Sequence, residues 1–532
     1  MRRPRSKTKT RMTCSQVMRA TFMGALVLLL VIPAAMAQEK AGSDLRRFEQ
    51  LADSPFAKDR PTAETAQLLK DELLFQRASQ VYLWALPVIN TYGMKEGSET
   101  KFGAGYNVLP VFKKRLDAKT LITTPNSDVI YALSYVDVGQ DGPLVFEAPP
   151  GLQGMFLDVW QRPITGPTLD GKTYLGDIGL PGPDKGKGGS FLILPPGYEG
   201  DVPEGYFVYR SDTNNVFIFL RTFFEDPSDL SKAVGLMEAV KIHPLGQKDM
   251  AKAMQYPDAS GVPVNMLPRS DITAFEQLKR MVDSEVETVA DPDWMGMLAS
   301  IGIAKGEPFQ PDEKQQAILD AAAESAYDIS RVLGFEDEVG GVSYRLYPDR
   351  QWVNPFAAGK GTDPKNYPFD VRWASNAVGG RTGIDQRTNF FTNYYSLTPG
   401  MAYPSPGAGA FYPIAHTDSD GEYLTGDHDY RLRLPPDIPA KLFWSVTVYD
   451  AANPSGLQNG QPFPSLGSRD KPVMNADGSV DLYFGDTAPA GKEKNWLRTP
   501  KGKGYFAILR LYGPLEPALN RTWVPGDFEK VK

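Results

Sequence analysis

The chain has 532 residues, 57 of them lysine or arginine and 64 aspartate or glutamate, for a net charge of −7 at pH 7. That acidic balance argues against nucleic acid or an anionic lipid surface as a partner, since both reward a basic face. The single cysteine, Cys14, excludes an internal disulfide framework and a thiolate zinc site.

Residues 1–37 run from a basic start through an apolar stretch at 22–32 to Ala35-Met36-Ala37. This is the three-part pattern of a secretory signal. The apolar stretch is shorter than the ~20 residues that a membrane span needs. The expectation is a signal peptide over 1–37, a mature chain from Gln38 that is periplasmic or secreted, and no membrane span after cleavage. An uncleaved N-terminal anchor is the alternative. Cleavage takes seven basic residues from the 57 and no acid, leaving 50 against 64 and a net charge of −14. Cys14 leaves as well, so a cysteine nucleophile is ruled out. The remaining length suffices for a large core and two or more domains.

A helical segment is expected within 38–104. Leu68, Leu69, Leu73, Phe75, Ala78, Tyr82 and Ala85 recur at threes and fours, and Pro87 is expected to end the pattern. From 105 to 225 the runs become short and β-rich: "DVIYALSYVDV", "PLVFEAP", "MFLDVWQ", "SFLILPP", "YFVYRSD" and "NNVFIFLRTF". Gly and Pro clusters separate them, as expected of a first all-β domain. A helical unit follows over 226–345. Its first helix is expected from Asp226-Pro227 to Pro244, which places His243 at a helix end. The second runs from Asp271 through Val289, and the third from about Pro311 to an αL cap at Gly334. Residues 346–384 read as a linker. Strands return over 385–532, a second all-β domain, in "DYRLRLP", "AKLFWSVTVYD", "VDLYFG" and "GYFAILRLYG". The order β, α, β predicts a multidomain α+β protein with two sandwich-like or jelly-roll-like units and a helical unit between them.

The chain lacks G-x-S-x-G, a Walker A loop and H-E-x-x-H. Its only histidines are His243, His416 and His428, so any acid–base chemistry falls to carboxylates, tyrosines or lysines. Attention then goes to "TTPNSDVIYALSYVDV", where Asn126, Ser127 and Asp128 sit at the mouth of an apolar strand. Such residues can cap a loop. They also have company. Asn214 precedes a strand in which Phe217, Phe219 and Arg221 share a face. Phe156, Asp158 and Trp160 are expected on one face, and Phe506, Ile508, Arg510 and Tyr512 on another. A buried charge needs a partner, so Asp128 or Asp158 is expected to pair with Arg221 or Arg510. These pairs either lock the β units together or line a cleft. The acidic segment "HTDSDGEYLTGDHDY" has neither EF-hand nor zinc spacing, and no metal or other cofactor is expected.

"TTPNSDVIYALSYVDV…GPLVFEAP" and "YRSDTNNVFIFLRT" resemble the bacterial domain of unknown function 1254. "DSDGEYLTGDHDYRLRLPPDIPAKLFWSVTVYD", "NADGSVDLYF", "NWLRTPKGKGYFAILRLYGP" and "TWVPG" resemble domain of unknown function 1214. The resemblance implies an exported envelope protein with two all-β units and a helical unit, and it implies no particular chemistry. In its pattern fall Pro125, Asn126, Asp128, Tyr131, Asn214 and Arg221 in the first region. In the second fall Asp418, Asp420, Gly421, Trp444, Tyr449, Asp450, Asn495, Trp496, Arg510 and Tyr512. Ser127 stands where the family often has Asn, and Arg498-Thr499 where it often has Pro-Ala.

Two functions remain open. One is binding, extending to processing, of a polar small molecule or glycan in a cleft between the β units. Its candidate residues are Asn126, Asp128, Tyr131, Asp158, Trp160, Asn214, Arg221, Trp444 and Arg510, with the aromatic groups as stacking faces. The other is a non-catalytic structural role in which the same charges form ion pairs. Self-association as a homo-oligomer is open under both.

Overall fold

The computed structural model describes residues 45–357, 369–376 and 382–531; the leader with Cys14 and the expected terminus at Gln38 lies outside them. The described residues fall into two compact units, one up to Glu72 and one from Leu73 onward. In the larger unit, strand-rich regions flank a helical one, a mixed α+β fold. Among the described residues no helix is long and apolar enough to cross a membrane.

The long helix α1 (Ala63–Phe102) does not end at Pro87, which lies in its interior. A proline there costs roughly 3 kcal/mol. Tyr82, Leu86, Val88 and Ile89 beside it are fully buried, and each such side chain returns about 1.5–3 kcal/mol. Packing therefore outweighs the local break.

The first strand region comprises β1 (Ile130–Asp137), β2 (Leu144–Ala148), β3 (Gln153–Asp158), β4 (Thr165–Leu169), β5 (Lys172–Leu175), β6 (Asp177–Ile178), β7 (Gly189–Leu194), β8 (Phe207–Arg210) and β9 (Asn215–Thr222). It continues past Phe224, because β10 (Lys241–Pro244) joins it. One sheet has the order β1-β9-β3-β6 and the other β10-β2-β7-β8-β4-β5. The expected helix up to Pro244 is only α2 (Ser231–Glu238). His243 is thus on a strand, opposite Val145, with its Nε2 3.5 Å from Glu147.

Helix α3 (Thr273–Ser284) stops short of Val286 and Val289. Lys305 Nζ donates to the carbonyls of Val282 and Asp283 (both 3.2 Å) and to that of Glu285, and so caps the helix C-terminus. After α4 (Pro292–Ser300), helix α5 (Glu313–Phe335) begins at Asp312 with a capping box. Gly334 is not its αL cap but lies within the helix. A Cβ there would sit 2.9 Å from Thr392 Cγ2, so the glycine permits close packing of helix α6 (Ile384–Asn393). That helix occupies sequence read as linker and strand region.

The second strand region comprises β11 (Trp352–Val353), β12 (Ala410–Phe411), β13 (Ile414–Ala415), β14 (Tyr430–Leu434), β15 (Ala440–Asp450), β16 (Ser465–Gly467), β17 (Val480–Gly485), β18 (Trp496–Arg498), β19 (Tyr505–Pro514) and β20 (Phe528–Lys530). Its sheets are β11-β13-β19-β15-β16, with β12 also on β19, and β18-β17-β14-β20.

Three cores result. Ile130, Ala132, Val216, Ile218 and Leu220 point into the first sandwich, and Val446, Val448, Ala507, Leu509 and Leu511 into the second. The opposite faces of the same strands, with Tyr131, Tyr135, Phe217, Phe219, Phe506, Ile508 and Tyr512, join the helices in a central core. A strand buried on both faces loses its polar alternation, which is why "DVIYALSYVDV" reads as one apolar run.

Candidate functional site

The polar knot is the joint between the two strand regions. Asp128 is 1% exposed. Its Oδ1 pairs with Arg115 Nη2 at 2.7 Å, and its Oδ2 accepts from Ser465 Oγ at 3.0 Å. Its carbonyl accepts from Arg469, and Arg115 Nη1 reaches Asp470 at 3.0 Å. Asn126 Nδ2 donates to the Tyr512 hydroxyl (2.6 Å), and Asn126 Oδ1 accepts from Asp128 N (2.8 Å). Arg510 donates to the Tyr449 hydroxyl and, through Nη2, to the Thr124 carbonyl (3.0 Å). Thr124 holds a left-handed backbone (φ 38°), unusual for a β-branched residue. Its N–H donates to Pro454 and its Oγ1 to Asn393, both at 2.6 Å, which fixes that conformation. The expected partners Arg221 and Arg510 are therefore corrected: Asp128 pairs with Arg115, which is close in sequence, and Arg510 is taken up by carbonyls and a phenol.

Beside the knot, a cleft of about 470 Å³ opens between the two strand regions. Arg221 lies on its wall, half-buried, with Tyr412 and Tyr512 lining the same space. Arg221 forms no ion pair with a carboxylate among the described residues; the hydroxyls of Tyr412, Tyr512 and Tyr131 are its electrostatic neighbours. Tyr131 stacks on Phe219 at 5.1 Å, just beneath the guanidinium. Asp177 also lines the cleft and accepts a hydrogen bond from Gly400 N at 2.8 Å. Burial pushes its carboxyl up to about 6, against the pull of its hydrogen bonds and of the Arg221 charge. Lys172 and Lys185 stand at the mouth over the ring of Tyr174, at 4.7 and 4.6 Å. Cations thus outnumber the one carboxylate among the lining residues, which makes the cleft electrostatically favourable to negative charge.

The other candidates lie elsewhere. Asp158 pairs with Arg162 (Nε to Oδ2, 2.6 Å) and accepts the N–H groups of Trp160 and Arg162. Its strand ends there, so Trp160 does not share the face of Phe156. Phe156 belongs to the first sandwich and Trp160 to the central core, where its Nε1 donates to Val289. Asn214 ties its strand to α3, its N–H donating to Glu285 and its Nδ2 to Ser284. Trp444 is in the core of the second sandwich, facing away from the cleft. Burial pushes the His416 imidazole down to about 3 between Phe335 and Phe506. Asp418 serves a turn, accepting from Asp420 N and Glu422 N, and pairs with Lys530 at 3.0 Å.

Of the nine sequence candidates, the cleft gathers Arg221 on its wall, with Tyr131 behind it. Arg115, Asp177 and Tyr412 were missed. Arg115 sits in "FKKRLD", which reads as a solvated basic run, and Asp177 in a Gly- and Pro-rich stretch that reads as turn punctuation.

Residues 106–244 match the family described as protein of unknown function (DUF1254), and residues 409–516 match protein of unknown function (DUF1214). No curated protein matches the chain. Among solved structures, the VPA0106 protein from Vibrio parahaemolyticus is similar at 19% identity, covering 86% of this chain and all (100%) of its own, with a TM-score of 0.49. An uncharacterised protein from Burkholderia cenocepacia is similar at 14% identity, covering 95% of this chain and 98% of its own, with a TM-score of 0.34. The chain therefore combines a DUF1254 region with a DUF1214 region on its C-terminal side.

Proposed function

We propose that this chain is an exported envelope protein that binds a polar small molecule or glycan carrying an anionic group, in the cleft between its two strand regions. The supporting observation is Arg221, a guanidinium on the cleft wall with no carboxylate paired to it among the described residues. Asp177 shares the cleft and feels the Arg221 charge but forms no ion pair with it among the described residues; a ligand carboxylate would supply a paired counter-ion in bidentate geometry. The tyrosine hydroxyls offer further hydrogen bonds, and no catalytic residue is assigned. Titration calorimetry with galacturonate and with galactose tests the reading. The acid should bind more tightly, and Arg221→Gln should weaken it at least about tenfold, the loss of one charge-assisted contact. The melting temperature should hardly change, since no ion pair is broken. Equal binding of acid and sugar, or of the acid by both proteins, would remove the basis for the site.

Export rests on the leader pattern of residues 1–37. The protein recovered from the envelope fraction should have the intact mass of a chain starting at Gln38; a membrane-held species beginning at Met1 would sink the idea. A non-catalytic structural role is the second reading, and the saturated knot of Asn126, Asp128 and Arg510 favours it for those residues. It expects no saturable binding of either galacturonate or galactose.

A further inference from the structure

We propose that a second cleft, between α1, α6 and the segment after β3, is a separate binding site for a flat monoanion of the aromatic carboxylate class. The cleft has a volume of about 740 Å³, and Trp84, Trp160, Trp373, Arg162 and Arg387 are among its lining residues. Trp84 is backed by Trp294 in a parallel stack (4.4 Å, 3°), and Trp160 stands against it, tilted, at 4.6 Å. Rings held in this way form a rigid wall with little entropy left to lose when a flat ligand lies on it.

The charge comes from Arg387, which is 8% exposed. Its Nη2 donates to the Trp84 carbonyl at 2.9 Å, and its guanidinium lies 5.6 Å from the Trp160 ring centroid. No carboxylate pairs with it among the described residues. Burial, and then the neighbouring Arg162 charge, pull its pKa down to about 10. Arg162 is already matched by Asp158 and lies 5.6 Å from the Trp373 ring centroid. Arg387 is thus a buried cation beside aromatic walls with no ion-pair partner among the described residues; Asp158, whose charge it feels, is already paired with Arg162, and an incoming carboxylate would neutralise Arg387. The exposed Glu287 and Asp291 also line this cleft. Asp291 is spent on the α4 N-terminus, accepting from Asp293 N and Trp294 N. Against these two acids the lining adds one further cation, the exposed Arg372, so the acids disfavour a polyanion and leave a single negative charge as the better match.

The test titrates the full protein with 2-naphthoate, with 2-naphthalenemethanol as the uncharged counterpart, following tryptophan fluorescence. The expected result is saturable binding of naphthoate, tighter than that of the alcohol. Arg387→Gln should weaken naphthoate by about tenfold or more and the alcohol by less than about twofold. Arg387 also bonds to the main chain, so a thermal melt accompanies that variant. If it does not fold, Trp373→Ala decides, because the Trp373 ring is 40% exposed and carries little of the fold: it should weaken both probes. Three outcomes overturn the proposal. Naphthoate does not saturate at millimolar concentration; acid and alcohol bind alike; or binding survives Arg387→Gln and Trp373→Ala but is lost in Arg221→Gln, which would place the probe in the other cleft.

Discussion

Asp177 shows what burial does to a single residue. Its carboxyl, ordinarily near 3.8, is pushed to about 6 in the folded chain. A folded pKa above the unfolded one means that the folded state holds the proton more tightly between those values. The resulting stabilisation is complete below about pH 4 and is lost as pH rises through about 6, at most roughly 3 kcal/mol. Asp177→Asn keeps an acceptor for Gly400 N and cannot ionise. Denaturant melts should therefore show the variant gaining on the wild type between pH 4 and pH 7. A constant difference across that range would mean that Asp177 is ionised throughout. Little of this was visible in the sequence, where Asp177 lies among glycines and prolines. Burial and the approach of Gly400 are products of chain segments more than 200 residues apart.

At the scale of elements, helix packing sets the limits. The segment of Met266 and Leu267 crosses α1 so closely that a Cβ on Gly93 would lie 2.5 Å from the Leu267 carbonyl oxygen. Alanine gains about 1 kcal/mol over glycine in helix propensity. Forcing backbone apart in a tight core costs typically 1–3 kcal/mol. The clash is with main chain, which cannot swing away, so Gly93→Ala should destabilise the protein on balance. An unchanged or raised denaturation midpoint would show that the two segments separate easily. Helix α6 follows the same logic with polar groups. Its sequence "IDQRTNFFTN" has no apolar stripe, yet residues from Gln386 to Asn393 are buried. Asn389 and Asn393 donate to the Leu333 and Gly334 carbonyls at 2.6 Å, and Thr392 to Ser330 at 3.0 Å. Asn393 satisfies the end carbonyl of Gly334, and Asn389 and Thr392 add side-chain bonds to carbonyls of the last two turns of α5. Periodicity reads hydrophobic faces, so a helix held by side-chain amides escapes it.

In the whole molecule, the sheet of β1 and β9 and the sheet of β15 and β19 each bury one face in a sandwich and the other in the shared central core. Neither sandwich can then open without exposing apolar surface common to both. Residues 73–532 should unfold in calorimetry as one transition. Asp128 joins the two regions through Arg115, Ser465, Arg469 and Asp470. Asp128→Asn should lower that transition by roughly 3–5 kcal/mol, since Arg115 loses its most buried partner. Two separate transitions, or a variant as stable as the wild type, would contradict the lock.

The long strands Ile130–Asp137, Asn215–Thr222, Ala440–Asp450 and Tyr505–Pro514, the β–α–β order and the faces shared by Phe217, Phe219 and Arg221 or by Ile508, Arg510 and Tyr512 follow from the sequence alone, because they depend on local periodicity. Helix ends are partly local: the start near Pro311 is read from the sequence and its Asp312 cap is found in the structure, while Pro87 and Gly334 mislead because distant packing overrides their propensities. Partner choice is wholly tertiary. Sequence required that Asp128 and Asp158 find cations, but the identity of those cations was decided by which side chains the fold brings within hydrogen-bond distance. The same fold closes the knot around Asp128 and leaves Arg221 and Arg387 without an ion-paired carboxylate among the described residues.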